Sequence, residues 1–132
     1  MAITIKDWKV LKGMLSVAFH PKMTALAMWV TVRYSKVTFT SAYREKGNGV
    51  HSVVPCRGMD IRSWHYDDPQ TVVDDINVHW RYDPLKRPEK MCAILHDTGS
   101  GNHIHLQTHD NTRYLQDDTA DPEPRPNGIH GF

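Results

Sequence analysis

Six consecutive residues late in the chain, Asn-His-Ile-His-Leu-Gln at 102–107, alternate polar and apolar side chains. This period of two is typical of a β-strand that buries one face. One face carries Ile104, Leu106 and Thr108. The other face carries His103, His105 and Gln107. The pattern therefore predicts a strand that projects two imidazole rings, side by side, from the same face of a sheet.

Length and composition limit what can surround this strand. The chain has 132 residues, of which 39% are hydrophobic and 23% charged, and this fits one compact domain that needs no disulfides to build its core. It contains 16 basic and 15 acidic residues, for a formal net charge of +1. Such a balance points to neither nucleic acid nor a membrane surface as partner, so specificity must come from a local site.

The first residues, 1–7, lack the long apolar core and the cleavage site of a secretory signal, and no run elsewhere has the length of a membrane-spanning helix. We therefore expect synthesis in the cytoplasm and no stable membrane insertion. In that compartment Cys56 and Cys92 are expected as two reduced thiols. The nine histidines are more informative, because histidine is the commonest metal ligand in proteins.

Two helices are predicted in the first third of the chain. Apolar residues recur at helical intervals between Trp8 and Phe19, and Pro21 ends or interrupts that segment. A second helix is predicted over 22–35. Its apolar face carries Met23, Leu26, Ala27, Val30 and Tyr34, with Trp29 and Val32 beside them. We assign the aromatic residues of both segments to the core.

Strand and helix patterns follow in turn. β-branched and aromatic residues predict a strand at 37–40, and a second one at 59–62 follows a polar loop. Asp68 and Pro69 mark the start of a third helix, as N-cap and first residue. Its buried stripe carries Val72, Val73, Ile76 and Trp80. Two further strands, 91–95 and 103–108, form a hairpin around the turn formers at 97–102.

These elements predict an α+β fold, in which a small central antiparallel β-sheet is flanked by about three helices. The predicted single domain covers residues 1–116. Residues 117–132 are rich in proline and acidic residues and cannot bury enough apolar surface to order themselves. They are predicted to form a flexible C-terminal tail.

Four stretches of the chain, taken together, resemble a superfamily of zinc peptidases, that of the D-alanyl-D-alanine carboxypeptidases, lysostaphin and hedgehog. The stretches are Thr40-Ser41-Ala42-Tyr43-Arg44, Val50-His51-Ser52, Arg57-Gly58-Met59-Asp60-Ile61-Arg62 and His103-Ile104-His105-Leu106-Gln107. They follow the order of the superfamily's motifs and cover the middle two-thirds of the chain. The chain is similar above all to small bacteriophage enzymes that cut the peptide part of peptidoglycan.

The resemblance implies that His51 and Asp60 are the first two zinc ligands and that His105 is the third. It also implies that His103 is an auxiliary histidine and that Arg44 lies near the substrate. Two imidazoles and one carboxylate match the three protein ligands of a catalytic zinc, which keeps a fourth position for water or substrate. Zinc in such a site brings the pKa of bound water toward about 7 and polarises the carbonyl under attack.

The chain departs from the superfamily's pattern between its first two ligands. Eight residues separate His51 from Asp60, two more than usual, and this insertion predicts a longer loop. Cys56 lies within it, and its thiolate is an alternative zinc ligand that would close the site into a structural one. Ala42 also replaces the usual glycine, and Met59 another apolar residue.

A second departure concerns proton transfer. Asn102 stands three residues before His105, where some members have a glutamate. The proton-transfer role therefore falls to His103, unless His96 or Asp97 moves into the site. His103 could instead be a fourth metal ligand.

Each of these residues also has an ordinary structural interpretation. A His-x-His pair on a strand is often exposed to solvent or simply hydrogen-bonded. Asp60 could pair with Arg57 or Arg62, and Arg44 with Glu45 or a nearby acid. His51, beside Ser52, could be an ordinary polar loop residue.

The first functional interpretation is a zinc-dependent hydrolase that cleaves an amide bond in peptidoglycan stem peptides. It would come from a phage or prophage, be made in the cytoplasm of the bacterial host without a signal peptide, and act at the cell wall. The second is a non-catalytic, metal-stabilised module of a phage particle that binds the cell wall or another virion protein. A third, a metal-dependent nuclease, lacks the basic footprint of nucleic-acid binders.

Overall fold

The computed structural model describes residues 2–97 and 102–115. Within these ranges the chain forms three helices and seven strands, which confirms the predicted α+β class. In chain order they are β1 (Ala2–Ile5), α1 (Trp8–Ser16), α2 (Pro21–Arg33), β2 (Lys36–Ser41), β3 (Gly58–Arg62), α3 (Pro69–His79), β4 (Trp80–Arg81), β5 (Ala93–Asp97), β6 (Asn102–Gln107) and β7 (Arg113–Tyr114).

Five strands form the main sheet, in the order β1-β2-β3-β6-β5, and β4 pairs with β7 in a small second sheet. β1 runs parallel to β2, whereas all other neighbours in the main sheet are antiparallel. The sequence analysis did not predict β1, because four residues are too few for a clear period. It correctly predicted the antiparallel pairing of β5 with β6 that a hairpin requires.

The helices pack on one face of the main sheet. Alternate residues of the central strands point into the core between sheet and helices: Val37, Phe39, Met59, Ile61, Ile104 and Leu106. From the helices the core receives, among others, Met23, Leu26, Val30, Val72 and Ile76. The intervening strand residues therefore project from the opposite face. They include Thr38, Asp60, His103, His105 and Gln107.

Capping side chains set all three helix starts, with Asp7 as the N-cap of α1. α3 begins as predicted, since Asp68 Oδ1 accepts a hydrogen bond from the backbone N–H of Gln70. In α2 the ring nitrogen Nδ1 of His20 accepts from the backbone N–H of Lys22. Pro21 is therefore the first residue of α2 and does not end the preceding helix. This position suits proline, because an N–H there would have no partner within the helix.

The predicted burial of the aromatic residues is right for Trp29 and wrong for Trp8. Trp29 is 9% exposed, whereas Trp8, Leu11 and Leu15 of α1 are 66%, 42% and 77% exposed. α1 lies against β1 and β2 at the edge of the sheet, so only one side of the helix reaches the core. The apolar stripe of α1 is thus wider than the surface available to cover it.

Two predicted segments lie outside the described residues, namely the hairpin turn at 98–101 and the C-terminal tail at 117–132. In the described part of the chain, no helix combines the length and the apolar character needed to cross a membrane.

The middle of α1 approaches the backbone that leads from β2 to Arg44. A Cβ atom added at Gly13 would lie 2.6 Å from the backbone oxygen of Tyr43. A backbone oxygen cannot rotate away as a flexible side chain can, so the contact requires glycine.

We predict that Gly13→Ala destabilises the protein, although alanine is favoured over glycine in helix interiors by about 1 kcal/mol. The overlap with Tyr43 should outweigh this preference and give a net loss of about 1–3 kcal/mol, measured by urea unfolding. Gly49→Ala is the control, because a Cβ there would meet nothing within 4 Å. A Gly13→Ala protein as stable as the wild type would contradict the close contact.

Candidate metal centre

The pairing of β3 with β6 builds the centre of the site. It places Asp60 directly opposite His105, and both side chains leave the face of the sheet that is opposite the core. His51 reaches them from the loop between β2 and β3, residues 42–57. Backbone hydrogen bonds from Arg44 to His51 (2.7 Å) and from Arg57 to Val50 (3.1 Å) hold this loop. The longer loop predicted from the spacing thus carries the histidine to the sheet.

Three potential ligand atoms converge on one point. Asp60 Oδ1 lies 3.0 Å from His105 Nδ1 and 3.2 Å from His51 Nε2, and the two ring nitrogens lie 3.2 Å apart. Donors that surround a tetrahedral zinc at about 2.0–2.1 Å lie about 3.3 Å from one another. The triangle therefore has the size of one face of a zinc coordination shell, and His51, Asp60 and His105 can hold a metal ion.

Hydrogen bonds on the far side of each ring fix its tautomer. His51 Nδ1 lies 2.8 Å from the carbonyl oxygen of Ala42, which can only accept, so Nδ1 carries the proton. His105 Nε2 lies 3.0 Å from Gln107 Oε1. Gln107 Nε2 donates to the carbonyl oxygen of Met91 at 2.8 Å, and this bond turns Oε1 toward His105. His105 therefore carries its proton on Nε2.

Both rings consequently direct a lone pair at the point that Asp60 faces. Burial alone would raise the pKa of Asp60, but the two imidazoles donate to its carboxylate whenever they are protonated, and this outweighs burial and holds that pKa well below its ordinary value. The carboxylate is therefore charged at neutral pH. Two lone pairs and a negative charge about 3 Å apart repel one another unless a metal ion or a proton lies among them. A far-side hydrogen bond on each ring is the usual arrangement of metal-binding histidines.

The donor set narrows the choice of metal. Imidazole nitrogen suits zinc, copper, iron and nickel, whereas magnesium and calcium prefer ligand sets made of oxygen alone. Two imidazoles and one carboxylate therefore fit a transition metal such as zinc, copper, iron or nickel.

The sequence analysis missed two residues that orient the ligands, Gln107 and Ala42. Gln107 was placed on the same strand face as His105, two residues away, and this spacing was the available signal for their hydrogen bond. The role of Ala42 belongs to its backbone carbonyl. Nothing in the sequence marks it, because every residue has one.

His103 lies beside the three ligands and not among them. Its Nε2 is 3.6 Å from Asp60 Oδ2, the carboxylate oxygen other than the one that faces the ligand nitrogens. Its ring centroid is 5.3 Å from that of His96 on β5. Burial lowers the pKa of His103, and the charge of Asp60 offsets this only in part. The imidazole is therefore mostly neutral at pH 7.

Arg44 lines a cleft of about 840 Å³ that also contains Asp60 and His103. Lys6 and Arg62 contribute two further cations to its walls. In the described ranges no ion pair joins Arg44 to Glu45. The cleft therefore offers positive charge next to the ligand cluster.

The arginines near Asp60 have other partners. Arg57 donates to the carbonyl oxygen of Thr108 at 2.9 Å, and the guanidinium of Arg62 lies over the ring of Trp64, 4.6 Å from its centroid. Among residues 2–97 and 102–115, the ion-pair partners of Asp60 are all histidines. The alternative of an arginine salt bridge at Asp60 is thus not the observed arrangement.

Cys56 points away from the ligand cluster. Its buried Sγ lies 3.5–3.7 Å from the backbone oxygens of Val50, His51 and Gly58. Burial raises the pKa of the thiol, which therefore stays protonated and can donate its one hydrogen to any of these carbonyls. The structure leaves Cys56 outside the group of potential ligands.

Comparisons of the chain with protein-family models, curated proteins and solved structures found no match. The chemistry of the site is therefore the basis on which a function can be proposed.

We predict that the protein binds one equivalent of a transition-metal ion, to be tested with zinc, with affinity that depends on the ligands and on their far-side partners. Calorimetric titration should show loss of binding in His105→Ala and an affinity about 10- to 100-fold weaker in Gln107→Leu. His65→Ala is the control, because this histidine bonds to Thr38 and lies outside the cluster. Equal affinities in His105→Ala and His65→Ala would contradict the site.

Removal of the metal should lower thermal stability, since an ion that binds only the folded chain stabilises it. At a free concentration about 1,000 times the dissociation constant, this gain is about 4 kcal/mol. Thermal unfolding with zinc and with a chelator should therefore differ for the wild type and coincide for His105→Ala. Identical wild-type curves would argue against metal binding.

Proposed function

We propose that the chain is a zinc-dependent hydrolase that cleaves an amide bond in the peptide part of peptidoglycan. The observation that carries the proposal is the convergence of His51 Nε2, Asp60 Oδ1 and His105 Nδ1 beside a cleft of about 840 Å³. That volume lies within the range of ligand-binding clefts. The substrate class rests on the resemblance of the motifs around these residues to phage peptidases.

The number of protein ligands favours a catalytic over a structural metal site. A structural zinc has four protein ligands, whereas a catalytic zinc has three. In the part of the chain that the structure describes, no fourth histidine, cysteine or acid joins His51, Asp60 and His105. Zinc held there would supply the Lewis acidity that makes a hydroxide nucleophile available near neutral pH and polarises the scissile carbonyl.

His103 is the proposed proton-transfer group. It lines the cleft and stands next to Asp60, with its Nε2 3.6 Å from Oδ2. Because burial lowers its pKa, the ring is in the form that accepts a proton at neutral pH. It can take a proton from the attacking water and then give it to the leaving amine.

Arg44 is the proposed substrate-orienting group. Its planar guanidinium can hold a carboxylate through two hydrogen bonds, and stem peptides carry carboxylates. Lys6 and Arg62 reinforce the positive charge of the cleft. Exposed Trp64 forms an apolar part of the wall next to Arg62.

A second candidate function is that of a metal-stabilised binding module. The observation that favours it is the burial of His51 and Asp60, which tie the loop of residues 42–57 to the sheet. An ion at this point would stabilise the fold whether or not it acts in catalysis.

Incubation of the purified protein with bacterial peptidoglycan should separate these two functions. We predict new free amino groups with zinc present, none after chelation, and recovery when zinc is restored. Metal-dependent folding without amine release from any of several wall types would support the binding module. Metal analysis that returns iron, which the same donor set holds in oxygenases, would overturn the zinc hydrolase.

His103→Ala should keep its zinc and lose activity by a factor on the order of 10² or more, because it removes proton transfer and no ligand. The measurement is the initial rate of amine release at saturating zinc. His96→Ala, which alters the neighbouring histidine, is the matched control and should remain within a few-fold of the wild type. Full activity of His103→Ala would exclude His103 from the mechanism, and loss in His96→Ala alone would assign the role to His96.

A further inference from the structure

α1 exposes an apolar stripe that the fold does not cover. Trp8, Leu11 and Leu15 follow one another at intervals of three and four residues, so they share one side of the helix. All three are substantially exposed, up to 77% for Leu15. Large apolar side chains grouped in this way mark an interaction surface more often than chance exposure.

A concave apolar pocket adjoins the stripe. Its volume is about 280 Å³, and Met14, one turn beyond Leu11, forms part of its wall. The other lining residues come mostly from α2 and the sheet and include Phe19, Met28, Phe39 and Met59. Met28 is itself 45% exposed at the pocket. The apolar surface therefore extends from α1 toward α2.

The stretch of chain that carries this surface is rich in basic residues. Between Asp7 and Glu45 the sequence contains no acidic residue but six lysines and arginines, although the whole chain has a formal net charge of only +1. Lys9 and Lys12 are exposed on α1 itself, and Lys12 lies one turn from both Trp8 and Leu15. Asp7, the nearest acid in the sequence, is the N-cap of α1, where it accepts from the backbone N–H of Val10.

We propose that α1 docks the protein on the surface of an anionic lipid bilayer. A helix with lysines beside exposed tryptophan and leucine matches the interface between charged headgroups and acyl chains. The negative surface potential of the bilayer attracts Lys9 and Lys12, while Trp8, Leu11 and Leu15 enter the acyl boundary. A second copy of the chain fits less well, because a two-fold contact through α1 would bring the same lysines together. The metal site takes no part in this binding.

The test is co-sedimentation of the full chain with vesicles of equal parts phosphatidylglycerol and phosphatidylcholine, compared with vesicles of phosphatidylcholine alone. We expect binding to the anionic vesicles only, and weaker binding as salt rises. The double variant Lys12→Gln/Leu15→Ala should reduce the partition coefficient at least about tenfold, since it removes one headgroup contact and one inserted side chain.

Leu85→Ala/Lys86→Gln is the matched control. It makes the same two chemical changes at a distant surface, and Leu85 is 76% exposed compared with 77% for Leu15. This control should bind as the wild type does. Thermal unfolding and zinc binding should be unchanged in both double variants, so a loss of vesicle binding cannot be attributed to unfolding.

Three results would overturn the proposal. They are no sedimentation of the wild type with anionic vesicles, equal sedimentation with neutral ones, and equal losses in the α1 variant and its control. A concentration-dependent dimer that Lys12→Gln/Leu15→Ala dissociates, seen by light scattering without lipid, would assign the surface to a second copy of the chain instead.

Discussion

The antiparallel pairing of Asp60 with His105 is the contact on which the rest of the site depends. It joins two neighbouring strands in the middle of the sheet, so a rigid ladder of backbone hydrogen bonds sets the distance between a carboxylate and an imidazole. Only His51 has to be brought in by a loop. Rigid strands hold functional side chains more accurately than loops do, and two of the three potential ligands have that support.

The orientation of the ligands adds a second constraint. The backbone carbonyl of Ala42 and the side-chain carbonyl of Gln107 each accept a hydrogen bond from one ring. The other nitrogen of each ring is then left with a free lone pair. Gln107 is held in turn by Met91, which precedes β5. The lone pairs at the centre are thus a property of the surrounding hydrogen bonds. One carboxylate oxygen of Asp60 lies toward the ligand nitrogens and the other toward His103. Asp60 therefore links the candidate metal centre to the cleft.

The sequence predicted the elements that a local residue pattern marks. The alternation in β6 correctly assigned His103, His105 and Gln107 to one face, and the Asp68-Pro69 pair marked the start of α3. The convergence of His51 with Asp60 and His105 followed from the resemblance, because no local pattern connects residues 54 positions apart. The exposure of α1 could not be predicted, since an apolar stripe does not reveal whether another element covers it. The carbonyl of Ala42 leaves no trace in the sequence at all.

Ligand and core residues alternate along the same two strands, as in Met59-Asp60-Ile61 and Ile104-His105-Leu106. A slip of either strand by one residue would carry imidazole and carboxylate groups into the apolar layer and isoleucine and leucine out to water. A misaligned pairing is therefore destabilised for two reasons, because it buries polar groups and exposes apolar side chains. The hydrophobic packing on one face of the sheet thus fixes the strand register, and the register in turn aligns the potential metal ligands on the other face.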